Sequence, residues 1–167
     1  MSNSILLAVA LQRWDQHGAQ ALVARDVAAA LARGAAKPLY VLSVYAYESI
    51  NTHGLPPDVA AKYRDEQIQR LDACMQRKMA AYVAPLAAAG VQVATMLRVG
   101  KAREVVVQVA TELKADVLLM GSPSQHSFWE RTHGGTAQRV CKHAPCPVLL
   151  VSAKSGCDFT PIYLIPA

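Results

Sequence analysis

Ala115-Asp116-Val117-Leu118-Leu119-Met120-Gly121-Ser122 reads as a buried strand that ends on a glycine. Past an intervening loop, Gly134-Gly135-Thr136 opens a helix that runs to Lys142. His143-Ala144-Pro145-Cys146-Pro147-Val148-Leu149-Leu150-Val151 then brings the chain through a proline-bracketed turn into another strand. Short apolar runs bounded by glycine or proline suit strands covered on both faces, as in a parallel sheet.

The same grammar extends towards the N-terminus. Ile5 to Val9 is a short apolar run. Ala19, Leu22, Val23, Val27, Ala30 and Leu31 then recur at helical spacing, with Gly34 placed to stop that helix. Leu39 to Tyr45 makes a second strand, and Ala46 to Pro57, with Asn51 and Gly54, reads as a loop. Ile68, Leu71, Met75, Met79, Tyr82 and Leu86 advance by three or four along a long helix, with Pro85 set to kink it or end it early. Val91 to Leu97 is a third strand. Gly100 turns the chain into a helix with Val105, Val106, Val109 and Leu113 on one face. Strands and helices that alternate in this way predict an α/β fold: a doubly wound, five-stranded parallel sheet with helices on both faces. The expected domain spans residues 1–153. The apolar tail 154–167 is expected to pack on that domain or on a neighbouring subunit.

Charge and composition narrow the function. Seventeen Lys+Arg stand against 12 Asp+Glu for a formal charge of +5, with no block of like charge and no aromatic platform, which argues against nucleic acid. Apolar runs fall short of a membrane span, and the first residues lack the basic region of a secretory signal. Four cysteines at irregular spacing (Cys74, Cys141, Cys146, Cys157) fit free thiols in a reducing compartment, so a cytoplasmic location is expected.

In an open parallel sheet, ligands sit beyond the carboxyl ends of the strands. The loops after Val9, Val44 and Met120 qualify, and glycines at a helix start let main-chain N–H groups approach a phosphate. With Asp116 to Ser122, Gly134 followed by Ala137, Arg139 and Val140, the His143-to-Val151 run, and Arg98-Val99-Gly100, the chain resembles the universal stress protein family over roughly Ser4 to Ala153. The resemblance implies an adenine-nucleotide α-hydrolase-like fold, a cytoplasmic homodimer paired through the last strand (Val148, Leu149, Leu150, Val151), and a stress or regulatory role without enzymatic chemistry. It also implies a nucleotide site for ATP or AMP built from Val9, Ala10, Val44, Met120, Gly121, Gly134, Gly135 and Thr136.

Several of those positions depart from the nucleotide-binding pattern. The spacing of Gly121, the spacer 125–133 and Gly134 is kept, but Ser124 stands where the second glycine belongs and Pro123 removes a main-chain donor. Gly135 lacks the hydroxyl of the usual Ser or Thr, with Thr136 next to it as a substitute. Ala10 stands where the resemblance places an adenosine-binding aspartate, and Asp15 lies further on. The reading is a non-enzymatic module with a degenerate nucleotide site, or alternatively an ATP/AMP switch with a modified phosphate loop. Cys141, His143 and Cys146 match no common zinc spacing. His126, Phe128, Trp129 and His133 in the long loop, with Trp14 in the first loop, read as packing or contact residues, and Ser122 sits in no nucleophile elbow.

Overall fold

The computed structural model describes residues 4–121 apart from 13–17, residues 135–152, and the main chain of 122 and 162–165. The long-loop residues Pro123 to Gly134, and Trp14 and Asp15, lie outside the described residues. Successive elements are β1 (Ile5–Ala8), α1 (Ala19–Ala35), β2 (Leu39–Tyr45), α2 (Pro57–Ala88), β3 (Val93–Val99), α3 (Ala102–Glu112), β4 (Val117–Ser122), α4 (Thr136–His143), β5 (Val148–Ser152) and β6 (Ile162–Ile165). Strand order is β3-β2-β1-β4-β5-β6. The first five strands run parallel, as the alternating pattern predicts.

Period-two alternation splits the strands between two cores. Ile5, Leu7, Leu39, Val41, Leu119, Leu149 and Val151 pack under α1 and α2 with Ala28, Met75, Met79, Tyr82 and Leu86. Leu6, Ala8, Leu42, Leu118, Met120, Val148 and Leu150 pack under α3 and α4 with Val106, Val109 and Val140. Helices therefore cover both faces, and the sheet has the doubly wound form.

Four details differ from the sequence expectation. Gly34 lies inside α1; the left-handed turn falls instead on Ala36 (φ 52°), whose neighbour Lys37 N–H donates to the Ala32 carbonyl at 3.0 Å. Pro85 does not end α2, which continues to Ala88. Pro85 faces solvent, and an exposed helix face leaves the carbonyl one turn back, which loses its donor, open to hydration. β3 begins two residues later than its apolar run, because the Val91 N–H still donates to the Leu86 carbonyl at the end of α2 (3.1 Å) and the ladder starts at Val93, opposite Leu39.

The fourth difference is a sixth strand. β6 pairs antiparallel with β5, setting Val148 opposite Ile165 and Val151 opposite Ile162. The sequence reading placed pairing between two copies on this same edge, which here is hydrogen-bonded to the chain's own tail. Among the described residues no helix is long and apolar enough to cross a membrane.

Candidate functional site

The chain winds outward from β1 through β2 to β3, then crosses back to β4. The switch point therefore lies at the carboxyl ends of β1 and β4, where Ala8 is in register with Met120. Val9, Ala10 and Leu11 leave β1 here. Val9 is buried with the α1/α2 core and its N–H donates to the Leu42 carbonyl at 2.9 Å, so its place is structural. Ala10 is exposed and offers a ligand only main chain. Val44 and Met120 both belong to the α3/α4 side of the sheet, so these two expected contacts share a face while Val9 lies on the other.

Gly121 has a packing reason of its own. A Cβ built on it would stand 3.2 Å from the Gln20 carbonyl oxygen and 3.7 Å from the Ala21 nitrogen, in the first turn of α1. A side chain there requires that turn, which is main chain, to give by a few tenths of an ångström. Gly135 is the N-cap of α4 in ordinary extended conformation (φ −61°), with nothing within 4 Å of an added Cβ. Thr136 behind it is exposed. Among the described residues no side chain caps α4 and its first turn has no acidic residue, so this helix start carries the partial positive charge of its N–H groups. Gly134 lies outside the described residues.

The polar chemistry of the site sits on residues that the motif did not point to. The Gln12 carboxamide donates from Nε2 to the Ala46 carbonyl (2.7 Å) and accepts at Oε1 from the Ala46 N–H (3.0 Å), which ties the first loop to the end of β2. Lys78 on α2 donates from Nζ to the Leu11 carbonyl (3.2 Å) and the Gln12 carbonyl (3.5 Å). Ser43, fully buried, accepts from the Leu11 N–H at 3.4 Å. Next to them, Tyr45 and Tyr47 both donate phenolic O–H to Asp72 Oδ1, at 2.8 and 3.0 Å, with their rings edge to face at 6.0 Å. Burial first, and then the bond to Asp72, push the Tyr45 phenol well above its ordinary range, so it remains a neutral donor. These groups hold one another across the first loop, the end of β2 and α2. Their only sequence signal is polarity at positions that break an apolar stripe, which periodicity ignores.

Among the described residues no three His, Cys, Asp or Glu side chains gather as a metal site. His143 Nδ1 lies 2.9 Å from the Arg139 carbonyl within its own helix, and Cys146 is buried at 5% exposure. Burial pushes the Cys146 thiol up, and to a smaller degree so does the Asp116 charge. Because the folded state favours the neutral thiol, this support is complete below the unfolded thiol's range and wanes as pH rises through it. Native protein at pH 7 is expected to leave Cys146 unmodified by N-ethylmaleimide while unfolded protein reacts. Peptide mass mapping reads the difference, and prompt labelling of the native chain contradicts it.

A parallel sheet whose strand order reverses between β1 and β4, with helices on both faces, defines an α/β domain of the doubly wound class. The universal stress protein family profile matches residues 1–152, and the chain belongs to that family. It is 30% identical over 128 residues to a universal stress protein encoded in the 3′ region of a sulfhydrylase gene of Thermus aquaticus, covering 76% of this chain and 88% of that one. Among solved structures, a universal stress family protein from Burkholderia pseudomallei superposes with a TM-score of 0.57 at 25% identity, covering 90% and 96% of the two chains. The Archaeoglobus fulgidus universal stress protein in complex with dAMP shares the fold with a TM-score of 0.56 at 21% identity, covering 88% and 95%.

Proposed function

We propose that this chain is a non-enzymatic stress-response or regulatory module whose nucleotide site is degenerate and partly closed by its own side chains. One observation carries the reading: the main-chain donor and acceptor of Ala46, at the end of β2, are both taken by the Gln12 carboxamide. A planar ligand edge that presents one donor and one acceptor would need those same two groups. With Ala10 supplying no carboxylate, nothing on β1 compensates for displacing Gln12. The reading includes no catalytic residue and a reducing, cytoplasmic setting, in keeping with the free thiols of Cys74, Cys141 and Cys146. Pairing of two copies through Val148 to Val151 would first have to displace β6.

A second reading, an ATP- or AMP-binding switch with a modified phosphate loop, draws on the open start of α4. Gly135 has free space around it, Thr136 is exposed, and the uncapped N–H groups are suited to an anion. The relative that carries dAMP gives the ligand class.

Mass spectrometry of unheated, freshly purified protein, followed by calorimetry with AMP and ATP, separates the two. The first reading expects no co-purified nucleotide and no micromolar binding by the native chain; either finding would sink it. Gln12→Ala is expected to tighten AMP binding about tenfold, since two competing hydrogen bonds of about 0.5–1 kcal/mol each are removed. Unchanged affinity in Gln12→Ala would show that this side chain does not compete with nucleotide.

A further inference from the structure

At 32 residues α2 extends for about 48 Å, roughly twice the length of the strands it covers. Its buried positions are Ala60, Met75, Met79, Tyr82 and Leu86, so the second half anchors it to the sheet. The opposite face carries a pattern of its own. Positions 59, 63, 66, 70, 73, 77, 80, 84 and 87 advance by alternate steps of four and three, and every one is exposed. That is the heptad spacing of a helix that packs along its length against another helix. The stripe begins large and apolar, with Val59 at 45% and Tyr63 at 42% exposure, and it ends in alanines. A single exposed apolar side chain is ordinary; two bulky ones on successive turns of a heptad stripe mark a contact surface.

Between the two ends lie three charged residues, Glu66, Arg70 and Arg77. Among the described residues none of them enters an ion pair. A recess on this face is lined by Arg70 and by Ala73, Gln76, Arg77 and Ala80. The last four stand at i, i+3, i+4 and i+7, the four-residue hole that receives a knob from a facing helix. Two guanidiniums at its rim suit an acidic knob.

We propose that the outer face of α2 docks antiparallel on the α2 of a second copy, with Glu66 of that copy seated in the recess beside Arg70 and Arg77. The stripe is complementary to itself in one register. Glu66 meets Arg77 of the other copy, and two-fold symmetry makes that pair twice. In the same register Val59 meets Ala84, Tyr63 meets Ala80 and Arg70 meets Ala73, so each bulky side chain lies over an alanine. The arginine stems cover apolar surface while their heads stay at the rim. Sliding one heptad in one direction sets Val59 against Arg77. Sliding it in the other sets Glu66 against Ala84 and leaves both guanidiniums without a carboxylate. A parallel pair would put Arg70 against Arg70 and Arg77 against Arg77, which like charge disfavours. This docking uses neither β5 nor the start of α4, and it stands whether or not nucleotide binds.

The test is a charge-swap cycle read by sedimentation equilibrium on the full chain. It compares the native chain, Glu66→Arg, Arg77→Glu, the double variant, and an equimolar mixture of the two single variants. Both side chains are exposed, so the substitutions leave the fold in place, which circular dichroism verifies. Any other contact the chain makes with itself is common to all five samples, so only the differences count. Each single variant sets like charges opposite one another in its own pairs and is expected to associate at least about tenfold more weakly than the native chain. The double variant restores both pairs with reversed polarity, and the mixture restores them between unlike chains. Both are expected to return to within about threefold of native association. Residues 66 and 77 stand about 16 Å apart along one helix and cannot touch within a chain, so recovery in the mixture reports contact between chains. Single variants that associate as the native chain does, or a mixture that fails to recover, would overturn the proposal.

Discussion

Replacing Tyr82 by alanine is expected to lower the stability of the fold by about 3–5 kcal/mol, the range for deleting a large buried aromatic side chain. Tyr82 is fully buried in the core under α1 and α2, among Met75, Met79 and Leu86. Its hydroxyl donates to the Ala21 carbonyl at 2.6 Å, Arg25 stands over its ring at 5.7 Å, and Arg25 Nη1 donates to the Tyr82 carbonyl at 3.4 Å. One side chain thus joins α1 to α2, the helix that carries Lys78. Burial pushes its phenol up, only partly opposed by Arg25, so the ring stays neutral across the working range of pH. For a chain of this length each kcal/mol moves Tm by roughly 2–4 °C, so the expected fall is roughly 6–20 °C. Tyr82→Phe keeps the ring and loses only the hydroxyl, with an expected cost of about 1 kcal/mol. Thermal unfolding of both variants checks the prediction; near-equal losses would mean that the hydroxyl rather than the ring carries the effect.

The sheet was legible in the sequence because a strand buried on both faces must be largely apolar: Ile5 to Val9, Val117 to Met120 and Val148 to Val151 are so throughout, and Leu39 to Tyr45 is broken only by the buried Ser43. The long helix announced itself through Met75, Met79, Tyr82 and Leu86, which reappear as one buried stripe. Legibility failed where the deciding partner lies far along the chain. Gln12 and Ala46 are 34 residues apart, and Lys78 reaches Leu11 across 67, so neither contact leaves a mark in local spacing. The tail shows the same limit: Ile162 to Ile165 is too short and too close to prolines to read as a strand until β5 supplies its ladder. The glycines were legible as glycines but not as to their reasons. Gly121 stands at a glycine of the phosphate-loop pattern and Gly135 at its Ser or Thr position, and the spacing does not tell that the first is packed against main chain while the second has open space.

That difference yields the second large expectation. Gly121→Val is expected to destabilise the fold by about 1–3 kcal/mol through overpacking, and by more if α1 cannot move. The Cβ alone would sit 3.2 Å from the Gln20 carbonyl oxygen and 3.4 Å from its carbon, and the two further methyls of valine need space on the same side of the strand. The obstacle is main chain in the first turn of a helix anchored at Gly18, whose carbonyl accepts from the Ala21 and Leu22 N–H groups at 2.9 and 3.2 Å. It is not the tip of a flexible side chain, so relief requires the whole helix start to shift. Gly135→Ser meets no neighbour and adds a hydroxyl at the N-cap of α4, so it should hold or slightly raise Tm. Chemical denaturation of the two variants decides: a Gly121→Val midpoint equal to that of the native chain would show that α1 yields freely. The contrast also governs how binding experiments on this site are interpreted. A nucleotide response lost in Gly121→Val reports displacement of α1 as much as loss of a phosphate contact. Gly135→Ser changes the chemistry at the start of α4 while meeting no neighbour, so a change of affinity in that variant belongs to the helix start itself.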